Sequence, residues 1–273
     1  MELMANGVRY HIEVSGDEDR PVLVLLHGFT GSTATWEPVV ENWRDYQIVA
    51  IDLIGHGQTE SQADESRYAM ERQLDDLDFI FEKMKLEKFT LLGYSMGGRT
   101  ALAYACEFPE KVERLVLESA SPGLKIEAAR QKRREQDAQL AFNILEGGIE
   151  QFAGKWENIP LFDSQKSLPE SVRKQVKQER LAQTAQGLSN SLKGMGTGSQ
   201  QSYWGCLPEL KMPVLLITGE LDPKFCAIAR EMQELLPNAE HCIISAGHAI
   251  HVEKPAEFAT MVMERINGIN EED

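Results

Sequence analysis

The sequence predicts an α/β fold, with a mostly parallel central sheet flanked by helices and an inserted helical cap. Short, continuous apolar runs recur along the chain, and each is followed by turn residues and a segment of helical periodicity. Such runs are typical of strands buried on both faces, and their alternation with helices indicates parallel pairing. A third observation, the absence of such runs between residues 122 and 208, predicts the insertion.

The strands follow from these runs in chain order. Residues 8–14 alternate between polar and apolar side chains, which suits an antiparallel edge strand. The predicted buried strands are Val22–Leu26, Gln47–Ile51, 89–92, 115–117 and 214–217, with the least pronounced pattern at 241–244.

The regular spacing breaks after residues 121–123, and the chain then becomes rich in Arg, Lys, Gln and Glu. Functional loops leave the carboxyl ends of parallel strands, so helices inserted there are expected to roof an active site. We therefore predict a core from residues 1–121, a cap from 122–208 and a second part of the core from 209–273. The glycine-rich residues 194–198 are expected to be a hinge or loop of the cap, and 271–273 a solvated acidic tail.

Composition excludes several function classes. The 273 residues are 42% hydrophobic and 26% charged, as in ordinary globular proteins, and the formal net charge of −15 disfavours nucleic acid and anionic membranes. The N-terminus lacks a signal-peptide pattern, and the longest apolar run is far below the ~20 residues that span a bilayer. These features predict a cytoplasmic protein without membrane insertion, and they leave its oligomeric state open.

The four cysteines are scattered and include no Cys-x-x-Cys pair. This pattern favours buried free thiols in a reducing compartment over a disulfide framework or a zinc site. No His-Glu-x-x-His motif or other metal-ligand spacing is present either, so no metal is expected.

The strongest motif is Gly93-Tyr-Ser95-Met-Gly97, which follows a predicted strand and precedes a helical pattern. That context predicts a nucleophile elbow, a sharp turn that presents the Ser95 hydroxyl at the end of a strand. Glycine is needed at both flanking positions because a side chain there would collide with the neighbouring strand and helix. The alternative is a serine that only caps a helix beside incidental glycines.

A serine hydroxyl needs a base to act as a nucleophile or to move a proton. Among six histidines, His248 has the best context because it follows the last predicted strand, and His251 is its nearest rival. The acid is expected after the preceding strand, where Asp222 lies beyond a glycine turn, with Glu220 as the alternative. Asp222 also precedes a proline and so is a helix-cap candidate. The order Ser, Asp, His nevertheless favours a catalytic triad.

Two backbone N–H groups are candidates for an oxyanion hole. One belongs to Met96, directly after the serine, and the other to Phe29, in the loop after an early strand. Such donors are typically worth about 2.7–4 kcal/mol each in the transition state.

Cationic residues near the elbow indicate an anionic substrate. Arg99 lies one helical turn after Ser95 and can face the same cleft, while Arg130 and Arg133 stand in a locally basic stretch of the predicted cap. Arginine binds carboxylates through two parallel hydrogen bonds. For the neighbouring cations Lys132 and Arg134 we prefer a solvated helix face.

Two aromatic residues are candidates for the pocket wall. Tyr94, beside the serine, and Trp156, in the cap, could contact a substrate or donate hydrogen bonds to it. A purely structural role for Trp156 stays open.

The sequence resembles the α/β-hydrolase fold family over its whole length. This resemblance rests on His27-Gly-Phe-Thr-Gly31, Asp52-Leu-Ile-Gly-His-Gly57, the Ser95 motif and Gly247-His248. A narrower similarity, to the Bacillus-type members of the MenH family, covers core and cap. Its motifs are Gly93-Tyr-Ser-Met-Gly-Gly-Arg99, Leu117-Glu-Ser-Ala-Ser-Pro-Gly123, Trp156-Glu-Asn-Ile-Pro-Leu-Phe162, Asn190-Ser-Leu-Lys-Gly-Met-Gly-Thr-Gly-Ser199 and Asp222-Pro-Lys-Phe225.

The resemblance to MenH implies elimination of pyruvate from a small, carboxylate-rich 5-enolpyruvyl substrate, without a metal or organic cofactor. Arg99 matches the family's Gly-Gly-Arg motif, whereas the match of Arg130 and Arg133 is looser. Two alternatives remain: a carboxylesterase or carbon–carbon hydrolase with Ser95 as covalent nucleophile, and a non-catalytic receptor on the same fold.

Overall fold

The computed structural model describes residues 1–268, and the predicted acidic tail at 271–273 lies outside them. These residues form an eight-stranded sheet in the order β1-β2-β4-β3-β5-β6-β7-β8. The pairs β1–β2 and β2–β4 are antiparallel, and the other five pairs among these strands are parallel. The strands are β1 (Glu2–Ala5), β2 (Val8–Ser15), β3 (Val22–Leu26), β4 (Gln47–Ile51), β5 (Phe89–Tyr94), β6 (Val112–Glu118), β7 (Val214–Gly219) and β8 (Ala239–Ile244).

The predicted fold class is confirmed, but the prediction of β2 as the edge strand is wrong. Outside β2 lies β1, a four-residue strand in which only Ala5 is buried and which the apolar pattern does not reveal. The hairpin between them turns at Asn6 and Gly7, which have φ angles of 46° and 87°. Asn-Gly favours this tight turn because both residues tolerate positive φ, so the sequence carried a hairpin signal.

Helices cover both faces of the sheet. The helices are α1 (Glu37–Val40), α2 (Met70–Lys83), α3 (Met96–Glu107), α4 (Glu127–Trp156), α5 (Glu170–Leu181), α6 (Ala185–Met195), α7 (Pro223–Leu235), α8 (Ile250–Glu253) and α9 (Pro255–Gly268), with 3-10 turns at Thr33–Trp36, Glu65–Tyr68, Pro160–Ser167 and Leu207–Glu209. Along residues 1–268, none of these helices has the length and apolar composition needed to cross a membrane.

The two faces of the sheet belong to two separate apolar clusters. In β3, Val24 and Leu26 belong to the cluster that also contains residues of α2, α3 and α7, while Leu23 and Leu25 belong to the cluster that contains residues of α1, α8 and α9. Successive strand residues point to opposite faces, so a strand covered on both sides needs a continuous apolar run.

Between β6 and β7 the chain is helical, and α4 packs against α6. These two helices share a small apolar cluster of their own that includes Ile144 and Leu188. Gly198, in the loop after α6, lies so close to the α4 backbone that a side chain there would overlap it. The boundaries of the cap at residues 122 and 208 stay a prediction.

The expectation of four free thiols is wrong for one pair. Cys106, at the end of α3, forms a disulfide with Cys206, and their Cα atoms are 6.1 Å apart, within the usual range. The two residues are 100 positions apart, so their proximity depends on how the chain returns from the cap to the core. Cys226 and Cys242 are free and buried, as predicted.

Candidate active site

Ser95 lies in the turn between β5 and α3, with φ 51° and ψ −103°. This conformation is strained for a residue with a side chain, and neighbouring contacts must hold it. A side chain at Gly93 would overlap the backbone of Gly97, and one at Gly97 would overlap the end of β3. This close approach is the reason that the sequence analysis gave for both glycines. Although Ser95 occupies the N-cap position of α3, its side chain makes no capping hydrogen bond.

The Ser95 hydroxyl instead begins a chain of hydrogen bonds with His248 and Asp222. Its Oγ lies 3.0 Å from His248 Nε2, and His248 Nδ1 lies 2.6 Å from Asp222 Oδ2. The carboxylate can only accept, so Nδ1 carries the proton and Nε2 is free to accept the serine proton. The other oxygen of Asp222 accepts from Phe225 N–H at 3.2 Å, so Asp222 also caps α7.

The rival residues for these positions lie elsewhere. Glu220 is exposed, and the imidazole is bonded to Asp222 instead. The ring of His251 is bonded to the carboxylate of Glu118. The structure therefore brings together the favoured candidate at each position.

Buried His27 supports the loop after β3. Its Nδ1 donates to Gly28 O at 2.8 Å, and its Nε2 accepts from Leu53 N–H at 3.0 Å. Burial lowers the pKa of His27 to about 4, so the ring is neutral near pH 7. Both ring nitrogens are used in this neutral form, and protonation would oppose the Leu53 donor.

The two oxyanion-hole candidates border the same cavity as Ser95. Phe29 belongs to the loop after β3, and Met96 is the first residue of α3. The N–H of a first helical residue has no partner within its own helix, and the helix dipole makes this end attractive to negative charge.

A cavity of about 360 Å³ opens above Ser95, a size typical of small-molecule sites. Its wall is largely apolar and combines residues from the core with residues from the predicted cap. The wall includes Phe29, Ser95, Met96, Arg99, Arg133, Trp156, Leu192, Trp204, Phe225 and His248. Within residues 1–268, no group of three or more His, Cys, Asp or Glu side chains is arranged to hold a metal ion.

Arg99 is a buried cation at this cavity, with 9% of its surface exposed. Its Nη1 donates to Met195 O at 2.8 Å and to the side-chain oxygen of Gln200. Burial, followed by repulsion from Arg133, lowers the pKa of Arg99 to about 10, which still leaves the guanidinium charged at neutral pH. Its hydrogen-bond partners are neutral oxygens, and Asp137 is the nearby carboxylate that acts on its charge.

Arg133 contributes a second guanidinium to the cavity wall. Its Nε donates to Asp137 Oδ1 at 2.8 Å, one turn further along α4. The opposite oxygen, Asp137 Oδ2, is buried and has no hydrogen-bond partner within residues 1–268. With one carboxylate for two guanidiniums, this side of the cavity carries net positive charge.

The other predicted substrate-binding residues divide into two groups. Trp156 lines the cavity, and its ring lies 5.5 Å from that of Phe29, so it serves both packing and the wall. Tyr94 does not line the cavity, because its ring turns beneath the loop to pack on Gly28 and on His251. Arg130 does not line it either, since its guanidinium pairs with Glu127 at 3.1 Å.

Some residues of the site were missed by the sequence analysis. The Phe225 ring packs on His248, with centroids 4.6 Å apart, and Gln200 holds Arg99. Asp137 was detectable, because a carboxylate four residues after Arg133 faces it on a helix. No local pattern indicates Gln200, which reaches Arg99 only in the folded chain.

Comparisons with known proteins agree on one family. The family model described as alpha/beta hydrolase fold matches residues 21–255. The chain is 46% identical over 267 residues to a putative 2-succinyl-6-hydroxy-2,4-cyclohexadiene-1-carboxylate synthase of Bacillus subtilis. This match covers 97% of each chain. The synthase of that name from an Enterobacter species is 33% identical over 245 residues, 90% of this chain and 91% of the relative.

Among solved structures, the chain is similar to MenH from S. aureus. The TM-score is 0.91 at 39% sequence identity, and the match covers 94% of this chain and 98% of the other. The similarity therefore includes both the sheet and the helices above it.

Proposed function

Because the chain belongs to the 2-succinyl-6-hydroxy-2,4-cyclohexadiene-1-carboxylate synthase (MenH) family of α/β hydrolases, we propose that it is a carbon–oxygen lyase of menaquinone biosynthesis. The substrate is 2-succinyl-5-enolpyruvyl-6-hydroxy-3-cyclohexene-1-carboxylate, and the products are pyruvate and the ring compound in the family's name. The reaction needs neither a metal nor an organic cofactor.

The change in the ring defines the chemistry required. A ring with one double bond at C3 becomes a 2,4-diene, so a proton leaves C2 and the enolpyruvyl oxygen leaves C5. The ketone of the succinyl group is attached to C2, and its oxygen takes up the charge that develops there. The site must therefore provide a base for C2 and hydrogen-bond donors for that ketone oxygen.

In our proposal, the hydrogen-bonded chain from Ser95 to Asp222 supplies the base. His248 accepts the Ser95 hydroxyl proton while the serine oxygen takes the proton from C2, and Asp222 stabilises the imidazolium. The N–H groups of Phe29 and Met96 donate to the ketone oxygen. The proton carried by His248 protonates the departing pyruvate enolate, so the protons balance and no covalent bond to Ser95 forms.

Recognition is the second part of the proposal. The substrate carries three carboxylates, on the ring, the succinyl chain and the enolpyruvyl group. The buried Arg99 and the neighbouring Arg133, which line the same cavity as Ser95, support this part of the proposal. The observation that carries the proposal is this combination of a triad with two guanidiniums, since a simple ester needs no such charge.

The test is to offer the 5-enolpyruvyl precursor and to follow pyruvate release with lactate dehydrogenase and NADH. We expect release well above the spontaneous rate, and intact-mass measurement of rapidly quenched enzyme should show no adduct. A stoichiometric acyl adduct during turnover would support the covalent hydrolase alternative. Binding of the precursor without turnover would support a receptor.

We also propose that the enzyme acts in the cytoplasm. The buried free thiols Cys226 and Cys242 support this location, whereas the Cys106–Cys206 disulfide does not. Fractionation of cells that express the chain tests it.

A further inference from the structure

Glu118 is a buried carboxylate behind the elbow that the proposed chemistry does not use. It is the last residue of β6, pairs in register with Tyr94 of β5, and has 0% of its surface exposed. Burying a carboxylate is costly unless several donors satisfy it, so its partners indicate what it stabilises.

The side chain of Glu118 holds the segment directly after His248. Its Oε1 accepts from Ile250 N–H at 2.6 Å and from His251 N–H at 3.1 Å, two and three residues beyond His248. Its Oε2 lies 2.8 Å from His251 Nδ1. Three donors from one short segment therefore converge on one carboxylate.

The backbone of Glu118 holds the serine side of the Ser95–His248 hydrogen bond. Its carbonyl oxygen accepts from Ser95 N–H at 2.8 Å. Ser95 has φ 51°, and Ser119, directly after Glu118, has φ 47°. Two strained residues thus lie side by side at the ends of β5 and β6, where strain persists only if the surroundings hold it.

We propose that Glu118 is a positioning residue that sets the distance between Ser95 Oγ and His248 Nε2. Glu118 is hydrogen-bonded to Ser95 through its backbone and to the segment after His248 through its side chain. Both catalytic candidates are therefore held by the same strand, β6. The inference rests on the proposed roles of Ser95 and His248.

His251 completes this arrangement. Its ring packs between Trp36 and Tyr94, with centroids 5.0 and 4.6 Å away, and its Nδ1 donates to Glu118. The histidine that rivals His248 in the sequence thus serves as a fixed donor to Glu118.

The experiment compares Glu118→Ala and Glu118→Gln with wild type in two assays. The first is the rate at which phenylmethanesulfonyl fluoride modifies Ser95, followed by intact mass, which needs no natural substrate. The second is kcat and KM for pyruvate release. Asp76→Asn is the matched control, because Asp76 of α2 is equally buried, accepts hydrogen bonds from Asn6, Tyr10 and Arg67, and does not line the cavity.

A displacement of about 1 Å between reacting groups costs on the order of 100-fold, so we expect losses of that size in labelling rate and kcat for Glu118→Ala. KM should stay within about twofold, because no cavity-lining residue changes. Glu118→Gln keeps an acceptor oxygen for the two backbone donors, so its labelling rate and kcat should be about tenfold higher than those of Glu118→Ala. Asp76→Asn should lower the melting temperature and leave both rates unchanged.

The proposal would be overturned if a folded Glu118→Ala variant had the labelling rate and kcat of wild type. It would also be overturned if folded Asp76→Asn lost as much labelling rate and kcat as Glu118→Ala. If Glu118→Ala does not fold, Glu118→Gln decides, since it should label about tenfold more slowly than wild type, and wild-type labelling would overturn the inference. Dependence of labelling on Glu118 without pyruvate release by wild type would refute the proposed function and leave the positioning role intact.

Discussion

The two sides of the cavity are built differently. On the core side, Ser95, Asp222 and His248 follow the ends of three strands, and hydrogen bonds to neighbouring backbone hold the loops that carry them. On the cap side, Arg133 and Trp156 project from one long helix that has a break at Gly148, where φ is 73°. This helix packs on a cluster far smaller than the clusters beneath the sheet.

This difference indicates that the two sides of the cavity have different functions. Proton transfer requires a fixed distance between donor and acceptor, which strand ends in a packed sheet provide. Binding of carboxylates depends on charge and tolerates adjustment of long side chains. We therefore expect changes on the core side to lower kcat at nearly constant KM, and changes on the cap side to lower kcat/KM mainly by raising KM.

The largest effect should come from the core side. Ser95→Ala removes the group proposed to take the ring proton, so kcat for pyruvate release should fall about 10⁴-fold while KM changes little. Steady-state kinetics of the folded variant, checked by circular dichroism, measure this. A loss confined to KM would contradict the assignment of chemistry to the core.

The second effect concerns the stability of the core side at low pH. The folded pKa of His27 is about 4, below the ordinary value of 6.5, so the unfolded chain binds the additional proton. The contribution of His27 to the free energy of unfolding is therefore complete above pH 6.5. Roughly 3 kcal/mol of it is lost as the pH falls towards 4.

Urea unfolding between pH 4 and 7.5 measures this loss in wild type and in His27→Gln. The variant should show a shallower pH dependence in the same window. His56, with a pKa lowered to about 3 first by burial and then by repulsion from His27, adds a slope of the same sign. His27→Gln keeps the burial part and removes the part due to His27, which also makes the variant's slope shallower. Identical slopes would show that His27 is not held neutral in the folded protein.

The third effect tests Arg99, which joins the two sides. Arg99→Ala should lower kcat/KM for pyruvate release, with a loss of transition-state stabilisation of about 1.5–3 kcal/mol, the usual scale for hydrogen bonds to charged groups. Arg99→Lys should recover only part of this, because lysine keeps the charge and loses the planar fork. Unchanged kcat/KM in a folded Arg99→Ala variant would remove Arg99 from the site.

The smallest effect separates two arginines of the same helix. Arg133 lines the cavity, whereas Arg130 pairs with Glu127 away from it. Arg133→Ala should cost about 1 kcal/mol in kcat/KM, since Asp137 already compensates part of its charge, and Arg130→Ala should stay within about 0.5 kcal/mol. Equal losses in the two variants would indicate a general charge effect instead of a contact.

Residues that a local pattern specifies were predictable. The run at Val22–Leu26 is apolar at every position because β3 is covered on both faces, so sequence alone identifies a buried strand. The Ser95 motif is also recognisable locally, although only Gly93 is required by a contact within the turn, with Gly97, whereas Gly97 is required by its contact with the end of β3. The order of Ser95, Asp222 and His248 follows from chain connectivity, which sets which strand end carries each residue.

Other features depend on segments that meet only in the folded chain. The sequence could not direct the Tyr94 ring beneath the loop, because that orientation follows from packing against Gly28 and His251. Nor could it pair Cys106 with Cys206 or show that Glu118 meets both sides of the proposed triad. Patterns of polarity and turn residues are local and determine which elements form. Contacts across 100 or more residues depend on the arrangement of those elements, which only the tertiary structure decides.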